Sequence, residues 1–301
     1  MTDTESIYSP RGPVHICDAI NKTMVFIEKW QSGVIGIPSG LPSLDQVIKG
    51  WQAGELVIVG GRPAVGKTAF ALTLARNAAI NFNIPTAFFS LEMSTVSLTR
   101  RLIVSETRLP SCKLHGSVSM DNEDWSSMEK SLRRLSGAPL YIDDTPALST
   151  QEFTDRVKDL HLNHGVKLVF VDYLHLMTDQ SCPRLSAEEK NERILRALKE
   201  TALLTGTAVI AISHVRRPTR KNYVRPTLPD LFLYCPAAAD YADRILLLHR
   251  PSFLSLDCRE GNYSRLEFEV AKNNIGDVAL FDLYLDKDGI KVVEENDISE
   301  I

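Results

Sequence analysis

Residues 56–68 read LVIVGGRPAVGKT. Leu56-Val57-Ile58-Val59 is an apolar run that fits a buried strand, and Ala69 to Ala75 is an apolar-rich segment that fits a helix. Between them, Gly61-x-x-x-x-Gly66-Lys67-Thr68 matches the phosphate-binding pattern G-x-x-x-x-G-K-[ST] in full. Each residue type has a physical reason to be there. The glycines let backbone N–H groups turn inward onto phosphate oxygens. The helix N-terminus adds partial positive charge. Lys67 can reach the β- and γ-phosphates, and the Thr68 hydroxyl can ligate Mg²⁺. Gly61, Arg62, Pro63, Ala64, Val65, Gly66, Lys67, Thr68 and Ala69 are therefore candidate nucleotide-binding residues.

From this loop outward, strands and helices alternate. ELVIVGG, PTAFFSLE, APLYIDD, VKLVFVDYL, TAVIAIS and DRILLLH read as apolar strands. Helices are expected from about Gly66 and from about Ser94. Ser149 with Glu152, and Ser186 with Glu189, are capping boxes that open two more. The second of these runs to Gly206, whose glycine suits a left-handed helix end. Near-continuous apolar strands separated by helices imply a mainly parallel sheet covered on both faces, an α/β fold. The C-terminal SRLEFEVAK, VALFDLYLD and GIKVVE alternate with period two. They predict antiparallel strands with a turn at Asp286-Lys287-Asp288-Gly289.

The 301 residues carry a net charge of −4, with 44% hydrophobic and 24% charged residues. That excludes the global basic footprint of a protein that wraps duplex DNA, while leaving room for a basic pore lining. The five cysteines are scattered, with no C-x-x-C pair, so neither a disulfide framework nor a zinc site is expected. Reduced thiols and the polar start, MTDTESIYSPRG, give a cytoplasmic expectation. Residues 1–13 read as a disordered tail. In 14–33, Ile16, Ile20, Thr23, Ile27 and Trp30 form a helical stripe ended by Ser32-Gly33. It reads either as a helix packed on its own domain or as a linker that docks on a neighbouring subunit. Residues 34–301 form the main domain.

A phosphate-binding loop needs an acid for its metal at a nearby strand end. Asp172, after Leu168-Val169-Phe170-Val171, is preferred, and Asp143 and Asp144 compete. Glu92 ends the strand after the loop's helix. In a parallel sheet that places it on the ligand side, as a candidate base.

Taken together, GIPSGLPSLDQVIKGWQAGELVIVGGRPAVGKTAFAL, FFSLEM, YIDDTP and VFVDYLHLM resemble the C-terminal motor domain of DnaB-type replicative helicases over about residues 36–177. The resemblance implies a RecA-like core that forms a homo-oligomeric, hexameric ring. ATP would lie between subunits, with Mg²⁺, and single-stranded DNA would pass through the centre. Primase, a loader or a full-length helicase would be further partners. It makes Lys67 and Thr68 the P-loop residues, Glu92 the catalytic glutamate, Asp172 the second metal acid, residues 16–30 the linker helix and Arg250 a residue near the nucleotide base.

Departures from the family are equally specific. The separate N-terminal helical domain, which receives primase or loader in relatives, is expected to be absent. His214 stands where a glutamine is usual and could donate a hydrogen bond to the γ-phosphate, with pH-dependent charge. LPDLFLYCPAAADYAD is more apolar and one residue longer than its counterpart. Ala271-Lys272-Asn273-Asn274-Ile275-Gly276 keeps the lysine but not the arginine that reach a neighbour's ATP, which predicts weaker hydrolysis. In HVRRPTRKNYVRPT, Arg216, Arg217, Arg220, Lys221 and Arg225 are candidate DNA contacts; a solvated basic loop is the competing reading. Arg184 and Lys190 are weaker candidates. Three functions stay open: an ATP-driven DNA helicase or translocase, a RecA-fold ATPase of the RadA or KaiC kind without unwinding, and a nucleotide-holding assembly module that modulates a full-length helicase.

Overall fold

The computed structural model describes residues 13, 15–31, 36–107, 109, 113, 118–179, 186–215, 225–233, 235–251 and 263–298. Its centre is a nine-stranded sheet in the order β3-β2-β4-β5-β1-β6-β7-β8-β9. The strands are β1 (Leu56–Gly61), β2 (Thr86–Ser90), β3 (Leu140–Asp143), β4 (Leu168–Asp172), β5 (Ala208–His214), β6 (Arg244–His249), β7 (Tyr263–Asn273), β8 (Ala279–Asp286) and β9 (Val292–Val293). The first six pair in parallel. The last three are antiparallel additions. The expected turn closes β8 onto β9, with Gly289 at φ 67° and Gly289 N–H donating to the Asp286 carbonyl.

Alternation along the buried strands decides which helix each residue meets. On one face Val57, Val59, Phe88, Phe170, Ile210 and Leu246 pack with Trp51, Phe70, Leu98 and Leu102. Those partners come from α2 (Pro42–Ile48) and the residues after it, α3 (Lys67–Arg76) and α4 (Thr95–Thr107). On the other face Leu56, Ile58, Phe89, Val169, Val209 and Ile245 pack with Phe153, Val157, Ile194 and Leu198. α5 (Asn122–Ser136) packs on α4, and α6 (Thr150–His164) and α7 (Ala187–Thr205) cover the second face. Both capping boxes form. The Ser149 side chain accepts from Glu152 N–H, the Ser186 side chain accepts from Glu189 N–H, and Gly206 ends α7 at φ 67°.

The sheet is pinned at the N-terminal ends of its strands by Arg244, which is fully buried. Its guanidinium donates to the Gly50 carbonyl at 3.0 Å, the Ile48 carbonyl at 3.0 Å, Glu55 Oε1 at 3.1 Å and Asn273 Oδ1 at 3.1 Å. The apolar stretch LPDLFLYCPAAADYAD is apolar for a structural reason. It folds into α8 (Leu228–Phe232) and α9 (Ala238–Tyr241), and Leu231, Cys235 and Ala238 join the second core. α1 (Ile16–Gln31) precedes the sheet, with Ile16, Ile20 and Met24 at least half exposed. Among the described residues no helix is long and apolar enough to cross a membrane.

Candidate nucleotide site

The loop after β1 is built from conformations that side chains resist. Gly66 sits at φ 109°, where an L side chain is strained, and leads into α3 with no side-chain cap on the helix amides. A Cβ on Gly61 would press on the Leu248 carbonyl at 3.1 Å, because β6 runs beside it. Lys67 is buried, and its Nζ donates to the Gly61 and Arg62 carbonyls, each at 2.8 Å. Burial pushes its ammonium down to about 8, against the pull of Asp172 and Glu92. A triphosphate would supply the negative charge this cation lacks.

Strand order brings the acids to the loop. Asp172 ends β4 and is fully buried, and neither carboxylate oxygen has a hydrogen bond of normal geometry. Burial pushes its carboxyl up to about 7, against the Thr68 hydroxyl and the Lys67 charge. A buried carboxylate without partners, beside a hydroxyl and a lysine, is a fitting donor set for a divalent cation. Asp143 and Asp144 do not share this place. β3 is the sheet's edge, where Asp143 pairs with Arg156 and Asp144 accepts from Thr95 N–H at 2.7 Å. Glu92, just past β2, is exposed and acts electrostatically on Lys67, Asp172 and Tyr173. Arg62, Pro63, Ala64 and Val65 span the loop, and Ala69 is buried in the first turn of α3. Arg250 follows β6, at the end of the sheet that carries the loop, and donates to Ser264 Oγ at 2.8 Å.

Sequence reading overlooked a cluster of rings. Tyr173 follows Asp172 through a cis peptide, and its hydroxyl lies 3.1 Å from Thr68 Oγ1. Its ring centroid is 5.6 Å from His175 and 4.5 Å from His214, and the two imidazoles are 4.6 Å apart. His214 enters because β5 neighbours β4, which sequence spacing does not reveal. Burial, with the Lys67 charge and His175 adding to it, pushes His214 down to about 4. That shift favours the neutral ring over the pH-dependent charge expected from the sequence. His214 is neutral over the physiological range, so any hydrogen bond it donates comes from a neutral ring.

Two expected groups lie elsewhere. Lys272 is aligned with Ile245, which the parallel pairing sets beside Ile58. That is three residues before Gly61, about 10 Å along the sheet and at the end away from the loop. Its Nζ donates to the Ala239 carbonyl at 2.8 Å and the Ala242 carbonyl at 2.6 Å. Arg225 is held by Glu267, at 2.9 Å from Nε and 2.7 Å from a terminal nitrogen. Arg216, Arg217, Arg220, Lys221 and Arg184 lie outside the described residues. Lys190 lies on α7, where its charge acts on His175.

A glycine loop between a buried strand and a helix, an acid on β4 and the parallel order β3-β2-β4-β5-β1-β6 together define a P-loop protein with a RecA-like core. The chain belongs to the DnaB-like helicase C-terminal domain family, whose model matches residues 36–293. It is 37% identical over 223 residues to the replicative DNA helicase DnaB of Leifsonia xyli subsp. xyli, covering 74% of this chain and 48% of that protein. The solved ATPase domain of G40P superimposes with a TM-score of 0.86 at 27% identity, covering 94% of this chain and 99% of that one. A DnaB-like replicative helicase, studied with its interactions with primase, gives 0.83 at 26% identity over 95% of this chain and 68% of that one. The chain spans about half the length of most of the curated relatives it matches, and about a quarter of one from Nostoc sp..

Proposed function

We propose that this chain is the ATP-driven motor of a replicative helicase of the DnaB type, moving on single-stranded DNA in the cytoplasm. The observation that carries the reading is the convergence of Lys67, Thr68, Asp172 and Glu92 at one end of the sheet, from three strands that are remote in sequence. Lys67 would leave the loop carbonyls for the β- and γ-phosphates. The Thr68 hydroxyl and the Asp172 carboxylate would hold Mg²⁺, which when bound neutralises charge developing on the phosphate oxygens. Glu92 would orient the attacking water and take its proton. Arg250 would flank the base.

The remaining roles need a second copy. Lys272 lies too far along the sheet to serve its own loop. In a ring, most simply a hexamer, it would reach a neighbour's ATP, and α1 would dock its exposed stripe on an adjacent subunit. Arg216, Arg217, Arg220 and Lys221 would track the strand's phosphates in the pore, with Arg225 anchoring the foot of that loop through Glu267. Primase would join, as a DnaB-like replicative helicase interacts with primase, and a loader would be a further partner.

ATP hydrolysis and forked-duplex unwinding by the purified chain, measured with and without single-stranded DNA, test this reading. Lys67→Ala should abolish nucleotide binding. Glu92→Gln should keep binding and lose about 100-fold or more in kcat. Nucleotide binding by the unaltered chain without turnover would replace the motor by a nucleotide-holding assembly module. That second reading is favoured by Asn274, which stands where the pattern of the family it resembles implies an arginine.

A further inference from the structure

The ring cluster beside the loop has no part in the scheme above, although it touches the scheme's groups. Tyr173 Oη lies 3.1 Å from Thr68 Oγ1, and its ring centroid is 5.6 Å from Lys67 Nζ. His175 stacks on the ring at an interplanar angle of 14°, and His214 packs against it at 37°. Two imidazoles from two segments therefore fix the rotamer of one phenol. The phenol is half-buried and bound to stay protonated: burial pushes it up to about 12, with Asp172 next in effect.

We propose that Tyr173 is a positioning residue for Thr68, its hydroxyl accepting the Thr68 proton and so turning the Thr68 oxygen lone pairs toward the cation. A threonine hydroxyl can bind a cation only with its proton directed elsewhere; once the Asp172 carboxylate also faces the cation, Tyr173 Oη, 3.1 Å away, is left to accept that proton. The His175–Tyr173–His214 stack makes the acceptor rigid, as preorganised catalysis requires. The inference rests on the ATPase reading above and extends it to a residue outside the P-loop and its acids.

Tyr173→Phe removes one oxygen and leaves the ring stack in place. In the full chain, kcat for ATP should fall about 2- to 12-fold, the range one neutral hydrogen bond accounts for, with KM within about threefold. Independently of turnover, the Mg²⁺ concentration for half-maximal binding of a fluorescent non-hydrolysable ATP analogue should rise about 3- to 10-fold. The thermal midpoint should stay close to that of the unaltered chain. Unchanged kcat and an unchanged Mg²⁺ midpoint would overturn the inference alone. A fall in kcat matched by a fall in folded stability, with an unchanged Mg²⁺ midpoint, would make Tyr173 structural and overturn it as well. Failure of the unaltered chain to hydrolyse ATP would overturn the ATPase reading, and this inference with it.

Discussion

Asp172→Asn should stabilise the chain while silencing it, and the stabilisation should depend on pH. Asp172 is fully buried with no normal hydrogen bond to either oxygen, and its carboxyl is pushed from 3.8 up to about 7. A carboxyl whose folded pKa is raised binds more protons folded than unfolded between those two values. Stability therefore falls as pH rises from about 4 to 7 and levels off above. The full loss is about 4 kcal/mol. Asparagine removes it but buries an amide, at a cost of about 1–2 kcal/mol. The net gain is about 2–3 kcal/mol at pH 8 and near zero at pH 5. For a chain of this size that is a rise in Tm of roughly 3–6 °C at pH 8. Calorimetry or fluorescence melts of both chains in a chelating buffer at pH 5 and pH 8 would measure it, with ATPase assays in Mg²⁺ alongside. Equal gaps at the two pH values, or a less stable Asp172→Asn at pH 8, would refute the idea that this carboxylate is held unpaired at the expense of stability.

Other expectations follow from the same structure. Lys67 sits at about 8 before nucleotide binds, so binding must take up a proton at higher pH. The Kd for ATP should be flat below about pH 8 and weaken up to tenfold per pH unit above it. Arg244→Met leaves Glu55 buried without its cation and should cost about 3–5 kcal/mol in denaturant unfolding. Adding Glu55→Gln should recover part of that loss. His214→Gln should leave the ATPase pH profile between 5.5 and 8 without a lost or new inflection, since His214 titrates near 4.

The phosphate loop and its flanking elements were legible because each is a local pattern. A run of apolar residues, a glycine forced to φ 109° and the start of a helix need only neighbours in sequence. The capping boxes at Ser149 and Ser186 were legible for the same reason. α5 went unread, although its Asp121–Asp124 box is as local as the others. The choice between Asp172 and Asp143 rested on run length in the sequence. In the structure it rests on strand position: β4 is flanked on both sides and buries its acid, while β3 is an edge whose acid reaches Arg156.

What the sequence determined by itself was the fold class and the phosphate-binding half of the site, since backbone conformation and apolar alternation are set by residues close in the chain. The tertiary structure alone decided which side chains complete that half. His214 meets Tyr173 only because β5 lies beside β4, and Lys272 is removed from Lys67 only because β7 runs antiparallel along β6. Sheet order and direction follow from how whole elements pack. No spacing along one chain records them, so the chemistry at the strand ends had to be seen in space.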